Sequence, residues 1–160
     1  MTEFVITRTF NAPREAVWQA LSKAEALAQW WGPKGFKNNV KKFEFRQGGM
    51  FHYHLQGPME MWARFLYQEI VEPEKIEFIS SFSDPSGEIA RAPFFDGKWP
   101  LEIHNVITLQ EQDGKTMLTL KANPINATAE EIAQFEKNNS SMDQGYTGTW
   151  SQLDEYLKNN

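Results

Sequence analysis

Hydrophobic and polar positions divide this chain into stretches of different period. Thr2–Phe10 is β-branched and aromatic and alternates Phe4 and Ile6 against Val5 and Thr7, which predicts a strand. Asn11-Ala-Pro13 ends it. Pro13 suits the first turn of a helix, with Asn11 or Ala12 as its cap and Glu15 favourable just beyond. Ala16, Val17, Ala20 and Leu21 then recur at helical spacing. A second short helix, Lys23 to Trp30, closes at Trp31-Gly32-Pro33.

From Lys37 the period becomes two. Phe43 and Phe45 alternate with Lys42 and Glu44, and Gln47-Gly48-Gly49 makes a turn. Phe51, Tyr53 and Leu55 alternate with His52, His54 and Gln56 before a second turn at Gly57-Pro58. Glu60–Val71 pairs with Lys75–Phe82 around Glu72-Pro73-Glu74, and Leu101–Gln110 pairs with Thr116–Ala122 around Gln112-Asp113-Gly114-Lys115. Connections this short demand antiparallel hairpins, since parallel strands need long crossovers.

Ser83–Pro100 is a long loop that nevertheless carries Phe94, Phe95 and Trp99, and loops of this length in a compact domain are often functional. After Pro124, Thr128-Ala-Glu-Glu131 has the form of a capping box. Helix is expected to reach Leu157 with a break around Asn138–Ser141, and Met142, Tyr146, Trp150, Leu153 and Leu157 give it one apolar face. Segregated strands and helices of this order predict an α+β domain over residues 1–160. Six to seven antiparallel strands would curve around the terminal helix, a geometry that tends to leave a cavity between them.

Composition narrows the chemistry. The 160 residues include no cysteine, which excludes disulfides, thiolate metal sites and cysteine nucleophiles. Phe, Trp and Tyr supply 14% of the chain, so stability must come from packing. The net charge of −5 argues against a dedicated nucleic-acid binder. Residues 1–80 hold 10 basic and 9 acidic side chains, and residues 81–160 hold 6 and 12, which places the excess negative charge in the second half. No apolar run suits a membrane span and no leader pattern opens the chain, so a cytoplasmic protein without membrane insertion is expected, as a monomer or homodimer.

Several segments together resemble one family. Phe10-Asn-Ala-Pro-Arg-Glu-Ala-Val-Trp-Gln-Ala-Leu21 is similar to the opening of the START-like, or helix-grip, superfamily. Trp30-Trp-Gly-Pro33, Arg46-Gln-Gly-Gly49, Gln56-Gly-Pro58, Glu69–Ile76, Trp99-Pro-Leu-Glu102 and Gly145–Leu157 resemble the AHSA-type relatives of a heat-shock chaperone ATPase activator. The resemblance spans almost the whole chain and implies a helix-grip fold with a hydrophobic cavity. That superfamily includes lipid carriers, polyketide cyclases and chaperone-binding domains. No catalytic motif carries over residue by residue, and Gly145-Tyr146 stands where many relatives have Gly-Trp.

The aromatic set is the candidate site. Trp30, Trp31 and Phe36 flank the turn after the second helix; Phe51, Tyr53 and Leu55 share a strand face; Trp62 and Phe82 lie on neighbouring strands. Phe94 and Trp99 come from the long loop, and Met142, Tyr146 and Trp150 from the terminal helix. Aromatics also dominate ordinary cores, but Tyr and Trp can line a cavity while offering a ligand an O–H or N–H. His52 and His54 are expected to face solvent, opposite Phe51, Tyr53 and Leu55, and no metal or other cofactor is expected. Glu60, Glu69, Glu102 and Arg64 read as solvated strand charges. Lys34, Lys37, Lys41, Lys42 and Arg46 read as a basic edge that discourages strand-to-strand association.

The resulting expectation is a binding protein for a small hydrophobic molecule. A cyclase, dehydratase or hydrolase using the same cavity, with Tyr53, Glu69 or a histidine moving protons, is one alternative. Recognition of a chaperone through the basic cluster is another.

Overall fold

The computed structural model describes residues 3–160, so the expected strand start at Thr2 lies outside the described residues. The chain order is β1 (Phe4–Phe10), α1 (Arg14–Ser22), α2 (Ala24–Trp30), β2 (Lys37–Phe43), β3 (Met50–Gln56), β4 (Met61–Val71), β5 (Lys75–Phe82), β6 (Glu102–Gln112), β7 (Lys115–Ile125), α3 (Ala129–Lys137) and α4 (Asn139–Lys158). All seven strands form one antiparallel sheet in the order β1-β7-β6-β5-β4-β3-β2. This is the expected α+β helix-grip arrangement.

The inner face of the sheet is built by the period-two pattern. Phe51, Tyr53 and Leu55 on β3 stand opposite Phe65, Ala63 and Met61 on β4. Phe78 and Ile76 on β5 face Asn105 and Ile107 on β6, and Leu118 and Leu120 on β7 complete the floor. Against it pack Val17, Trp18 and Leu21 of α1, Leu27 and Trp30 of α2, and Trp150 and Leu153 of α4. The Trp30 indole N–H donates to the Ala20 carbonyl at 3.0 Å, which ties α2 to α1.

Three local readings change. Helix α1 is capped by Pro13, not Asn11 or Ala12, and no side chain caps it. Strand β7 continues through Pro124, which pairs with Ile103, instead of ending at Ala122. The described pairing of β1 with β7 runs from Phe10–Thr116 to Phe4–Ala122. The third change concerns the outer face. His52 and His54 are only 6% and 9% exposed, because Trp62 stacks on both rings, the Asp84–Gly87 turn lies against His52, and Glu60 reaches His54 at 2.8 Å.

At the C-terminal end the capping box forms as its residues predict. The Glu131 N–H donates to the Thr128 hydroxyl at 3.1 Å, and the Thr128 N–H donates to the Glu131 carboxylate at 3.0 Å. The helical stretch divides at Asn138, inside the expected break.

Candidate ligand-binding cavity

An apolar recess opens at one end of the space between sheet and α4. It measures about 400 Å³ and opens between the Trp31–Pro33 turn, the β3–β5 inner face, the Phe94–Pro100 loop and α4. Its apolar walls come from Trp31, Leu55, Met61, Ala63, Phe65 and Phe82, with Phe94, Trp99, Ile103 and Met142 closing the sides. Tyr53, Tyr146 and Ser80 bring hydroxyl groups.

The surrounding elements hold this shape by identifiable contacts. The Thr149 hydroxyl donates to the Gly32 carbonyl at 3.1 Å, and the Gln152 amide donates to the Gly32 and Trp30 carbonyls at 2.7 and 3.0 Å. Helix α4 thereby fixes the turn that presents Trp31. Gly32 is required there: its φ is +121°, and a Cβ would lie 3.0 Å from the Leu55 side chain. The loop side is anchored by ion pairs, Arg91 with the capping residue Glu131, and Lys98 with Glu130 at 3.3 Å. Trp99 packs on Phe135 of α3 with ring centroids 5.6 Å apart.

Eight of the thirteen expected site residues line this cavity: Trp31, Tyr53, Leu55, Phe82, Phe94, Trp99, Met142 and Tyr146. Trp30, Phe51 and Trp150 are buried in the adjoining core instead, and Phe36 packs beside Gly57. Trp62 is the clear correction. Its cross-strand partner is His54, so it stands on the outer face. There it stacks 4.4 Å from the His54 ring with Lys41 above it. The inward residues of β4 are Met61, Ala63 and Phe65, all missed by a search for Trp and Tyr. The Leu55–Met61 pairing across the hairpin reveals the correct parity, and a shift of one residue reverses it.

Electrostatics limit what the cavity can do. Burial pushes the Tyr53 hydroxyl far above the ordinary phenol range, despite the Trp31 indole beside it, and raises Tyr146 to about 12. Both are therefore neutral hydroxyls at physiological pH. Neither carboxylate nor imidazole is among the lining residues. Glu69 bonds to Lys75 at 2.5 Å on the exterior, and His104 bonds to Glu77 at 2.6 Å, which lowers the Glu77 pKa. His52, its pKa lowered by burial, contacts the Asp84 carbonyl on the outer face. The general acid–base pair needed by the enzymatic alternative is not assembled in this cavity. Among the described residues no three His, Cys, Asp or Glu side chains gather to hold a metal.

Fold and cavity together define a helix-grip domain: a curved antiparallel sheet closed by a C-terminal helix over an apolar recess. The sequence profile of the family described as Activator of Hsp90 ATPase homolog 1-like protein matches residues 11–158, and the chain belongs to that family. A protein from Arthrobacter aurescens, solved by NMR in solution, is 24% identical with a TM-score of 0.81, covering 99% of this chain and 87% of its own. One from Staphylococcus epidermidis is 28% identical with a TM-score of 0.79, covering 99% and 90%. The AHSA1 protein from Silicibacter pomeroyi is 17% identical with a TM-score of 0.71, covering 98% and 97%, a likeness that extends to the fold alone. A search of curated protein sequences returned no significant match. No helix among the described residues is long and apolar enough to cross a membrane.

Proposed function

We propose that this protein binds a small hydrophobic molecule in the cavity between the sheet and α4. The carrying observation is the unfilled apolar volume of about 400 Å³ beside a core that is otherwise densely packed. Apolar surface that lines an open recess stays in contact with water and forgoes the stabilisation of burial. A ligand that covers it removes that surface from water and stabilises the fold by mass action. At a concentration one hundred times its Kd the gain is about 2.7 kcal/mol.

Native mass spectrometry of the protein purified from its source, paired with thermal unfolding against a panel of lipophilic compounds, tests the reading. A co-purifying small molecule, or a saturable rise in Tm, is the expected result. A panel without any shift, together with a ligand-free native mass, overturns it.

A second reading, contact with a chaperone, draws its support from the family description. Its expected surface is partly spent: Lys42 and Arg46 both face Glu44, at 3.7 and 3.3 Å, and Lys41 lies over Trp62. Retention on immobilised Hsp90 at moderate as well as low salt would favour it.

A further inference from the structure

The cavity selects its ligand by charge and by hydrogen-bond polarity, a conclusion that rests on the cavity being a ligand site at all. No lining residue is Asp, Glu, Lys, Arg or His. Arg64 and Arg91 are committed elsewhere. Arg64 points from the outer face of β4 and donates to the Gly87 carbonyl at 3.0 Å, and Arg91 is paired with Glu131. An ionised ligand would lose its hydration on entering and find no countercharge, which is a heavy penalty.

The polar groups that do face the cavity are set up as donors. Asn105, 1% exposed, spends both amide hydrogens, one on the Ser80 hydroxyl oxygen at 2.9 Å and one on the Ile103 carbonyl at 2.9 Å. Ser80 therefore already accepts, and its own O–H is left to donate. The Tyr53 hydroxyl lines the same cavity and also has an O–H to donate. The Thr149 hydroxyl is occupied by the Gly32 and Gly145 carbonyls. A buried apolar wall thus carries unspent O–H donors on β3 and β5, two strands apart, or about 10 Å at ordinary strand spacing.

We propose that the cavity's ligand is an uncharged molecule with an apolar frame and at least one oxygen acceptor, such as a ketone, ester, amide or ether, held by the Ser80 and Tyr53 hydroxyls. Ionised amphiphiles such as fatty-acid carboxylates are excluded. Asn105 is a positioning residue, orienting Ser80 without touching the ligand.

Calorimetric titration at neutral pH with three probes of one shape tests this: acetylnaphthalene, ethylnaphthalene and naphthoate with the same substitution pattern. Acetylnaphthalene should bind most tightly, ethylnaphthalene about 5-fold more weakly for want of one neutral hydrogen bond, and naphthoate at least about 100-fold more weakly. Acetylnaphthalene has one acceptor oxygen, so at least one of Ser80→Ala and Tyr53→Phe should lower its affinity while leaving that of ethylnaphthalene unchanged. Naphthoate binding as tightly as the ketone, or a ketone-to-hydrocarbon ratio unmoved in both variants, overturns the inference while leaving the cavity a ligand site. Saturable binding by none of the three overturns the cavity reading, and this inference with it.

Discussion

The two ends of the space beneath the sheet are built by the same strands and differ forty-fold in what they leave empty. At one end, Leu21, Leu27, Tyr67, Ile76, Phe78 and Ile107 leave about 10 Å³. At the other, about 400 Å³ remains. Trp31 and Phe65 belong to both linings and form the boundary. Along β4 the inward side chains shrink from Tyr67 through Phe65 to Ala63, and along β5 from Phe78 to Ser80. On α4 Gly145 lies at the open end between Met142 and Tyr146, and a Cβ there would meet nothing within 4 Å. The cavity is thus a consequence of small residues at a few inward positions, while the large aromatics decide where it stops.

That contrast can be broken from the closed end with the largest effect. Phe78 is 1% exposed and stacks on Phe65 with centroids 4.1 Å apart. Phe78→Ala should cost about 3–5 kcal/mol in urea unfolding, the range for a fully buried aromatic. From the open end, Ala63→Leu should fill the cavity. Binding of acetylnaphthalene should fall at least about tenfold, while stability changes by no more than about 1.5 kcal/mol, because the added volume enters space already vacant. Overpacking at Ala63, seen as a loss as large as that of Phe78→Ala, would show that the two ends are equally filled.

The roof of the open end has its own anchor, absent from the closed end. Glu131→Gln removes the carboxylate that pairs with Arg91 and caps α3, and should cost about 1 kcal/mol. The Arg91 guanidinium, with the Thr128 N–H, holds the Glu131 carboxyl below its ordinary value of 4.5. Its stabilisation should therefore be complete above about pH 4.5 and disappear as pH falls through the lowered native value. Urea unfolding of both proteins across acidic pH should show their stabilities converge at the acid end. The smallest effect is expected at Gly145→Ala. A helical glycine with open space beside it should gain about 0.5–1 kcal/mol on acquiring a methyl group, with little loss of binding.

How much of this was legible in the sequence differs between fold and site for a physical reason. Strands and turns follow from local alternation and from Gly and Pro, and the α3 start follows from Thr128 and Glu131, three positions apart. Site membership depends on parity across hairpins and on side chains that are missing. Trp62 has the chemistry of a cavity residue, yet pairing with His54 turns it outward. His52 and His54 alternate correctly with the inner-face residues, but His52 is covered by the Asp84–Gly87 turn, a contact between distant segments that no local pattern encodes. Ala63 and Ser80 carry no aromatic signal because their role is to be small.

The central claim, that the open end and not the closed end or the exterior receives a ligand, is tested most directly by methyl NMR of methionine-labelled protein titrated with acetylnaphthalene. Met61 and Met142 report from the open end, and Met59 and Met117 from the exposed surface. Saturable one-to-one shifts confined to Met61 and Met142 are predicted. Shifts that appear at Met59 and Met117 instead, or that never saturate, would contradict it.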